Sequence, residues 1–318
     1  MNPILPLVAA ELDVPVDARV SAMAAAVAAL YPKAARAVLF YGSCLRESAL
    51  EGLMLDFYLV VSSYRDAYGK SWLAPANRLI PPNVFPFVHE GLSAKYAVLS
   101  EADFARECSP RAGSVSVYAR FAQPARLVWQ ADADAKRSAV EAVAEAAPTL
   151  LGLARPCLTD EEASDPLAVW RRAFELTYGA EIRAERASRP GSIVDHDPER
   201  YRRFAEALGA SEPLGQGEVE RRACAKAWRR RQRKGKRTTV LRLAKASFTF
   251  AGGSNISPGR STGTRALTFG SPLGNSATHY WQPSPCCRSL FARARCANPW
   301  LRFWGARWRC ARGLRRPH

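Results

Sequence analysis

Residues 35–61 constrain the fold most, because they contain two apolar stretches joined by a short connection. We interpret the two stretches as strands. The first ends in Tyr41-Gly42-Ser43, and the second carries one carboxylate, Asp56. An ionised carboxylate in apolar surroundings is costly unless a partner offsets the cost, and a metal ion is one such partner. The backbone N–H groups and the hydroxyl of a Gly-Ser turn can hold a phosphate. These residues therefore predict a corner that binds phosphate and a metal ion.

Twelve residues separate Ser43 from Asp56. This spacing matches the pattern of polymerase-β-type nucleotidyltransferases, in which a Gly-[Gly/Ser] turn precedes a strand that carries Asp-x-Asp. Glycine lets the backbone approach a triphosphate, and the carboxylates hold Mg²⁺, which neutralises charge on the transferring phosphoryl group. Residues 56 and 58 share a strand face, but position 58 is a tyrosine, so one carboxylate of the pattern is missing. A turn followed by a satisfied strand-end Asp56 remains the alternative.

Helical and β-rich segments alternate up to residue 130, which predicts a mixed α/β domain over residues 1–130. Asp17 is expected to cap an Ala-rich helix that Pro32 ends. Glu90-Gly91 separates two β-rich runs, at 84–89 and 95–99, and indicates a hairpin. The other expected segments are helices at 64–80 and 101–107, and short runs at 114–121 and 125–129.

Residues 131–251 show helical spacing of apolar residues, and we expect a second, helical domain there. The fold class predicted for the chain is therefore α+β, a nucleotidyltransferase domain followed by helices. A basic segment, 229–237, leads into an amphipathic stretch, 240–250, with a helix break near Gly235 left open. Cations for lipid headgroups and apolar side chains for the acyl boundary are what an interfacial helix needs. We expect this helix to contact an anionic membrane surface, and a solvated helix face is the alternative.

The formal charge of +17 is distributed unevenly along the chain. Residues 1–220 hold 23 basic and 29 acidic residues, whereas residues 221–318 hold 23 basic residues and no acid. Such asymmetry points to a basic segment that meets an anionic partner, either a membrane surface or a nucleic acid.

Residues 252–318 form an irregular Arg-rich tail without Asp, Glu or Lys. Half of the tryptophans and half of the cysteines of the chain lie there, and no helical or strand period persists. The tail is too aromatic for ordinary disorder and too irregular for a core, so we interpret it as translated out of frame, and a disordered tail is the alternative. Codons for 255–266 can be chosen so that a shifted frame encodes acids, lysine and an amphipathic helix. Sequencing the gene across codons 250–260 tests this interpretation.

The eight cysteines include no Cys-x-x-Cys pair, and with four histidines they provide no zinc-site spacing. Free cytosolic thiols are the expectation. The N-terminus lacks a basic segment before an apolar core, and no run of about 18 apolar residues occurs, so we expect neither a signal peptide nor a spanning helix. The expected location is the cytoplasm, with peripheral association with the inner membrane.

Four motifs, taken in their order along the chain, carry a resemblance to a known family. They are Tyr41-Gly42-Ser43, Leu55–Val61, Ser93–Ser100 and Tyr118–Pro124. Together they resemble the mitochondrial translocator assembly and maintenance family, which are peripheral phosphatidate cytidylyltransferases (CDP-diacylglycerol synthases). The resemblance covers residues 35–130 well and the helical region to about 250 in outline, and the chain looks like a bacterial relative. Ala97 and Ala119 stand where the family motifs have glycine.

The resemblance implies a nucleotide site and a metal site. Tyr41, Gly42 and Ser43 would bind the phosphates of CTP. Asp56 would ligate Mg²⁺ and so act in catalysis. Glu90, near the turn before the next strand, would be a further carboxylate for the metal.

The resemblance also implies two catalytic cations. Lys95 would neutralise phosphate charge, and Arg120 would contact a phosphate of CTP or phosphatidate. The alternatives are a strand-edge charge for Lys95 and a structural ion pair for Arg120.

Two functions remain open from the sequence. The first is cytidylyl transfer from CTP to phosphatidate, which gives CDP-diacylglycerol and diphosphate at a membrane surface. The second is an RNA-binding or RNA-modifying protein of nucleotidyltransferase fold, or an inactive binding module of that fold, whose Arg-rich tail grips a phosphate backbone. Residues 1–220 contain no aromatic-basic RNA motif, which favours the first function.

Overall fold

The computed structural model describes residues 2–251 except 47–49, 51, 181–188, 211–214 and 216, so the predicted Arg-rich tail lies outside the described residues. Five strands form one sheet: β1 (Ala35–Tyr41), β2 (Met54–Val61), β3 (Asn83–His89), β4 (Leu92–Ser100) and β5 (Ala125–Gln130). Their order is β3-β4-β2-β1-β5. β2 and β4 run parallel, and the other neighbours run antiparallel. All the strands predicted within residues 35–61, 84–99 and 125–129 are confirmed.

The hairpin predicted at Glu90-Gly91 is also confirmed. Both residues have positive φ angles, 47° and 78°, and a tight hairpin turn of this kind needs left-handed backbone at its two central positions. Gly91 adopts it without steric cost.

Thirteen helices are present among the described residues: α1 (Leu5–Leu12), α2 (Ala18–Ala29), α3 (Tyr64–Tyr68), α4 (Leu73–Leu79), α5 (Glu101–Cys108), α6 (Ser116–Phe121), α7 (Ala133–Ala144), α8 (Ala146–Ala154), α9 (Asp160–Ser164), α10 (Pro166–Tyr178), α11 (Arg189–His196), α12 (Pro198–Ala207) and α13 (Glu218–Ala251). The predicted cap is confirmed, because the Asp17 carboxylate accepts a hydrogen bond from the Arg19 backbone N–H at 2.8 Å. The expected α+β class is confirmed as one mixed sheet accompanied by helices.

The two faces of the sheet contribute to two different cores. On β2, Leu55, Phe57 and Leu59 lie in a buried cluster with α2, α3 and α4. Tyr58 and Val60 lie in a second, larger cluster with α1 and the helices that follow β4. Since strand side chains alternate between faces, Asp56 belongs to the face of Tyr58 and Val60. The candidate site therefore lies on the side of the sheet that the later helices cover.

That second cluster continues from the sheet into the helical region. Leu39 and Val60 of the strands share it with Trp170 and Phe174 of α10 and with Trp228 of α13. Burial on both faces explains why the strands read as nearly continuous apolar runs. The division of the chain at residues 130 and 131 stays a prediction.

Residues 114–121, expected as another short β-rich run, are in part the helix α6. Val117, Tyr118 and Phe121 are all buried in the second cluster. Their spacing of one and three residues places them on one helix side. Packing against the sheet outweighs the β propensity of valine and the aromatics, which is a weak and context-dependent preference.

Helix α13 runs without a break through Gly235, so the alternative of a break there is not realised. A Cβ at this glycine would overlap the Ala180 carbonyl oxygen. The glycine thus permits close backbone contact with the end of α10. No helix in the described part of the chain is long and apolar enough to cross a membrane.

The expectation of free thiols is wrong for one pair. Cys157, in the short 3₁₀ turn after α8, forms a disulfide with Cys224 of α13, with a Cα–Cα distance of 5.4 Å. Cys108 is a buried free thiol, as expected. The connectivity of cysteines 67 residues apart is not readable from their spacing.

Candidate functional site

The sheet brings together three residues that the sequence motifs singled out separately. In the strand register, Tyr41 lies opposite Asp56, and Asp56 lies opposite Lys95. The Lys95 ammonium is 3.1 Å from Asp56 Oδ1, with the two side chains 47% and 22% exposed. Because β1 ends where β2 and β4 begin, all three side chains stand at one edge of the sheet.

The predicted Gly-Ser turn adjoins this ion pair directly. Gly42 has a φ of +99°, a conformation that favours glycine. A Cβ at Gly42 would lie 3.4 Å from Asp56 Oδ2. Ser43 then begins a 3₁₀ turn, Ser43–Arg46. The missing side chain at Gly42 leaves backbone beside the Asp56 carboxylate, as a site for a charged ligand requires.

Tyr58 occupies the position at which the nucleotidyltransferase pattern has a second carboxylate. It is buried, with its ring centroid 5.2 Å from that of Tyr41 and 5.3 Å from that of Phe121. Its role is therefore packing, since it joins the sheet to α6. The half-buried Tyr41 also contacts Phe121, with centroids 5.9 Å apart.

The structure does not bring Glu90 to Asp56. Glu90 lies in the β3–β4 turn, 4.0 Å from the His89 ring nitrogen. On β3, Pro86 is level with Lys95 and hence with Asp56. Glu90 lies four residues beyond Pro86, a separation of roughly 13 Å at the usual strand rise. The expectation that both carboxylates hold one metal ion therefore has no support in this arrangement.

The remaining carboxylate fits a magnesium ion that arrives with a nucleotide. Within the described ranges, no three His, Cys, Asp or Glu side chains converge on one point. Mg²⁺ is commonly held by one or two carboxylates together with substrate phosphates and water. Asp56, beside the backbone of Gly42, suits that limited role and does not suit an all-protein metal site.

A cavity of about 170 Å³ opens on the same face of the sheet. Four cations line it: Lys95 from β4, Arg120 from α6, and Arg242 and Lys245 from α13. None of its described lining residues is acidic; the others are Tyr41, Phe57, Tyr58, Pro82, Val84, Ala97 and Ser116. Such a concentration of positive charge favours an anionic ligand.

Arg120 and Lys95 reach this cavity from different elements, the helix α6 and the strand β4. Arg120 Nη1 donates a hydrogen bond to the Ser116 carbonyl oxygen at 2.6 Å, one turn earlier in α6. That bond directs the guanidinium along the helix toward the cavity. The two cations predicted to handle phosphate are thus found together.

Arg242 and Lys245 were not among the predicted site residues, because the basic amphipathic stretch of α13 was expected to face lipid. Arg242 donates to the Pro81 carbonyl oxygen at 2.6 Å and to the hydroxyls of Ser116 and Ser114 at 2.8 and 3.1 Å. Lys245 donates to the carbonyl oxygens of Ile80 and, at 2.8 Å, Pro82. Their spacing of three residues, which puts them on one side of a helix, was the signal that could have identified them.

The apolar residues of this part of α13 point the other way. Val240, Leu241 and Leu243 are more than half exposed, although the cations between and after them are turned toward the protein. A helix that packs on a soluble core normally shows the reverse pattern. Burial, together with the neighbouring Arg242, lowers the pKa of Lys245 to about 8. Lys245 therefore remains mostly protonated at neutral pH.

Comparisons with known proteins identify no family for the chain. No family model matches it, and no curated protein matches it. Among solved structures, it is similar to a nucleotidyltransferase-like protein from Exiguobacterium sibiricum 255-15, with 10% sequence identity and a TM-score of 0.26. The match covers 72% of this chain and 74% of that one. At that TM-score the likeness establishes neither fold nor function, so both are argued from the geometry of the site.

Proposed function

We propose that the chain is a nucleotidyltransferase that transfers a cytidylyl group from CTP to phosphatidate, giving CDP-diacylglycerol and diphosphate. The observation that carries the proposal is the register that places Gly42, Asp56 and Lys95 at one sheet edge, beside a cavity lined by cations. The choice of CTP and phosphatidate rests on the four ordered motifs that resemble the cytidylyltransferase family.

The arrangement of the strands supports a polymerase-β-type nucleotidyltransferase fold. A turn that contains glycine and serine follows the first strand, and the carboxylate lies near the start of the next strand, as the pattern requires. The backbone of Gly42 and Ser43 would receive the triphosphate. Mg²⁺ held by Asp56 and the substrate phosphates would supply charge neutralisation at the α-phosphorus.

The chain's own cations would supply the remaining stabilisation. In the proposed reaction, an oxygen of the phosphatidate phosphate forms a bond to the α-phosphorus of CTP. The bond between the α-phosphorus and the oxygen that bridges to the β-phosphorus breaks, and diphosphate leaves. The attacking phosphate is already anionic, so the step needs no general base. Lys95 and Arg120 position the phosphates and offset their mutual repulsion, which is where most of the rate of such reactions originates.

Exposed apolar side chains beside the cavity support an acceptor that carries acyl chains. Val240, Leu241 and Leu243 are exposed on α13 within one turn of the lining residue Arg242. An apolar surface next to a cationic one suits a peripheral protein on an anionic membrane. We propose that the chain acts at the cytoplasmic side of the inner membrane through this part of α13.

The proposal is tested by incubating the purified chain with CTP, Mg²⁺ and phosphatidate liposomes. We expect CDP-diacylglycerol and diphosphate to form. Asp56→Asn should lower the rate by about 10²- to 10³-fold, the usual effect of removing one electrostatic contact to the transition state. Liposomes of phosphatidylcholine alone should give no product.

Asp134→Asn is the matched control. Asp134 is exposed and pairs with Arg137 at 2.6 Å, so it also loses an ion pair, but on α7. Its activity should equal that of the unchanged chain. Full activity of Asp56→Asn would exclude the role assigned to Asp56.

A further inference from the structure

We infer that the cavity lined by Arg120, Arg242 and Lys245 binds the phosphate monoester of the acceptor, and that the two α13 residues select that acceptor. This inference rests on the proposed function. It assigns to Arg242 and Lys245 a role that the sequence motifs do not contain. The cavity thereby separates acceptor binding from nucleotide binding.

The position of the cavity separates it from the nucleotide side of the site. Of the residues proposed for the triphosphate, Gly42 and Ser43 do not line it, whereas Tyr41, opposite Asp56, lies at the boundary and does. Lys95 lines it and also contacts Asp56, so it stands between the two regions. A phosphate in the cavity would therefore lie next to the nucleotide phosphates, which is where an acceptor has to be for in-line attack.

The size of the cavity suits a headgroup and not a whole nucleotide. Its volume is about 170 Å³, whereas pockets that enclose a complete small molecule span roughly 300–1,000 Å³. A phosphate monoester carries up to two negative charges and several acceptor oxygens. Arg120 and Arg242 offer forked N–H donors, and Lys245 offers a compact ammonium, which together match such a group.

Hydrogen bonds hold the α13 cations in place before a ligand arrives. Arg242 is bonded to Pro81, Ser114 and Ser116, and Lys245 to Ile80 and Pro82. The acceptors of these bonds are hydroxyl and carbonyl oxygens, and the bonds orient the two side chains. A site organised in this way binds an anion with little loss of side-chain entropy on binding.

The test compares Michaelis constants of Arg242→Gln for the two substrates, with soluble dioctanoyl phosphatidate and CTP. Loss of a hydrogen bond to a charged group should raise the KM for phosphatidate about 10- to 100-fold. The KM for CTP should change less than about twofold, below the effect of one hydrogen bond. Lys245→Gln should act in the same direction. Equal KM values for phosphatidate in both variants and the unchanged chain would overturn the inference.

Arg202→Gln is the matched control, because Arg202 is an exposed arginine on α12 that does not line the cavity and lies outside the basic part of α13. Thermal unfolding of each variant identifies any that fails to fold. For that case Arg242→Lys retains a cation while losing the fork, and it should raise the KM for phosphatidate by about tenfold. The inference is also overturned if Arg242→Lys and Lys245→Gln both fold and both keep the KM for phosphatidate of the unchanged chain.

A binding measurement distinguishes failure of this inference from failure of the proposed function. Titration calorimetry of dioctanoyl phosphatidate without CTP should show binding that Arg242→Gln weakens and Arg202→Gln does not. If this holds but no CMP transfer occurs, the acceptor site stands and the proposed reaction is wrong. If transfer occurs but binding does not depend on Arg242, the reaction stands and the assignment of the cavity is wrong.

Discussion

At the scale of single residues, the Asp56–Lys95 contact is explained better by chemistry than by stability. Ion pairs this exposed contribute about 0–1 kcal/mol, and the two side chains are 22% and 47% exposed. The lysine does offset the cost of a carboxylate on an apolar strand. The gain is nevertheless too small to account for a carboxylate beside the glycine turn, which agrees with the proposed role of the pair in substrate binding.

Gly42→Ala is predicted to impair activity more than stability. The new methyl group would meet Asp56 Oδ2 at 3.4 Å, and the backbone would keep an unfavourable φ of +99°. Gly69→Ala is the control, because Gly69 also has a positive φ, 60°, but has no atom within 4 Å of the added Cβ. Both variants should lose about 1 kcal/mol or more of unfolding free energy. Only Gly42→Ala should lower kcat/KM for CTP, and equal activity of the two variants would contradict the role of this turn.

Residue types and spacing sufficed to predict which of several residues of the candidate site lie together. Gly42, Ser43 and Asp56 follow from a turn and a charge within two strands, and the register of a parallel strand pair then brings Lys95 alongside. Arg242 could not be predicted in the same way, because it is more than 120 residues away in sequence from its partners Ser114 and Ser116. A basic amphipathic pattern identifies the charged residues, but the direction in which their side chains point depends on packing.

At the scale of elements, α13 links the helical core to the proposed acceptor cavity. Its first half is fixed to the helical core: Trp228 donates to the Leu153 carbonyl oxygen at 2.8 Å, and Gln232 donates to Leu176 at 3.2 Å. Its second half supplies Arg242 and Lys245 to the cavity. Contacts near the start of the helix should therefore influence a site some four turns later.

The Cys157–Cys224 disulfide is predicted to stabilise this arrangement. The bond joins cysteines that are 67 residues apart in sequence, and it should contribute about 2–4 kcal/mol to the free energy of unfolding. The free energy of unfolding of the oxidised chain, measured in urea, should therefore fall by about that amount when dithiothreitol is added. Cys224→Ser should show the lower free energy of unfolding without reductant. Cys108→Ala, which alters a thiol outside the bond, should keep the response to reductant. An oxidised chain insensitive to reductant would contradict the prediction.

Local signals predicted the elements whose own residues determine them. The cap at Asp17 and the turn at Glu90-Gly91 depend on a few neighbouring side chains, and both are present. The helix α6 was missed because its apolar residues fit either a strand or a helix, and contact with Tyr58 and the rest of the core selects the helix. The continuity of α13 through Gly235 likewise depends on a distant backbone, that of Ala180.

At the scale of the whole molecule, the site is assembled from three distant parts of the chain. The strands β1, β2 and β4 supply the turn, the carboxylate and Lys95, α6 supplies Arg120, and α13 supplies the last two cations. A buried ion pair between Glu11 of α1 and Arg200 of α12, with Arg200 Nη2 3.0 Å from Glu11 Oε1, joins the first helix to the helical region. Arg242 and Lys245 line the cavity, so part of the basic charge after residue 220 lies inside the fold and not only on a surface that meets a partner.

The measurement that tests the central claim most directly follows the phosphorus atoms of the nucleotide. The chain is incubated with phosphatidate liposomes, Mg²⁺ and CTP labelled with ³²P at either the α or the γ position. Nucleotidyl transfer predicts that α label appears in the lipid and γ label in diphosphate. Label from the γ position in the lipid, or no label from either position, would contradict the account.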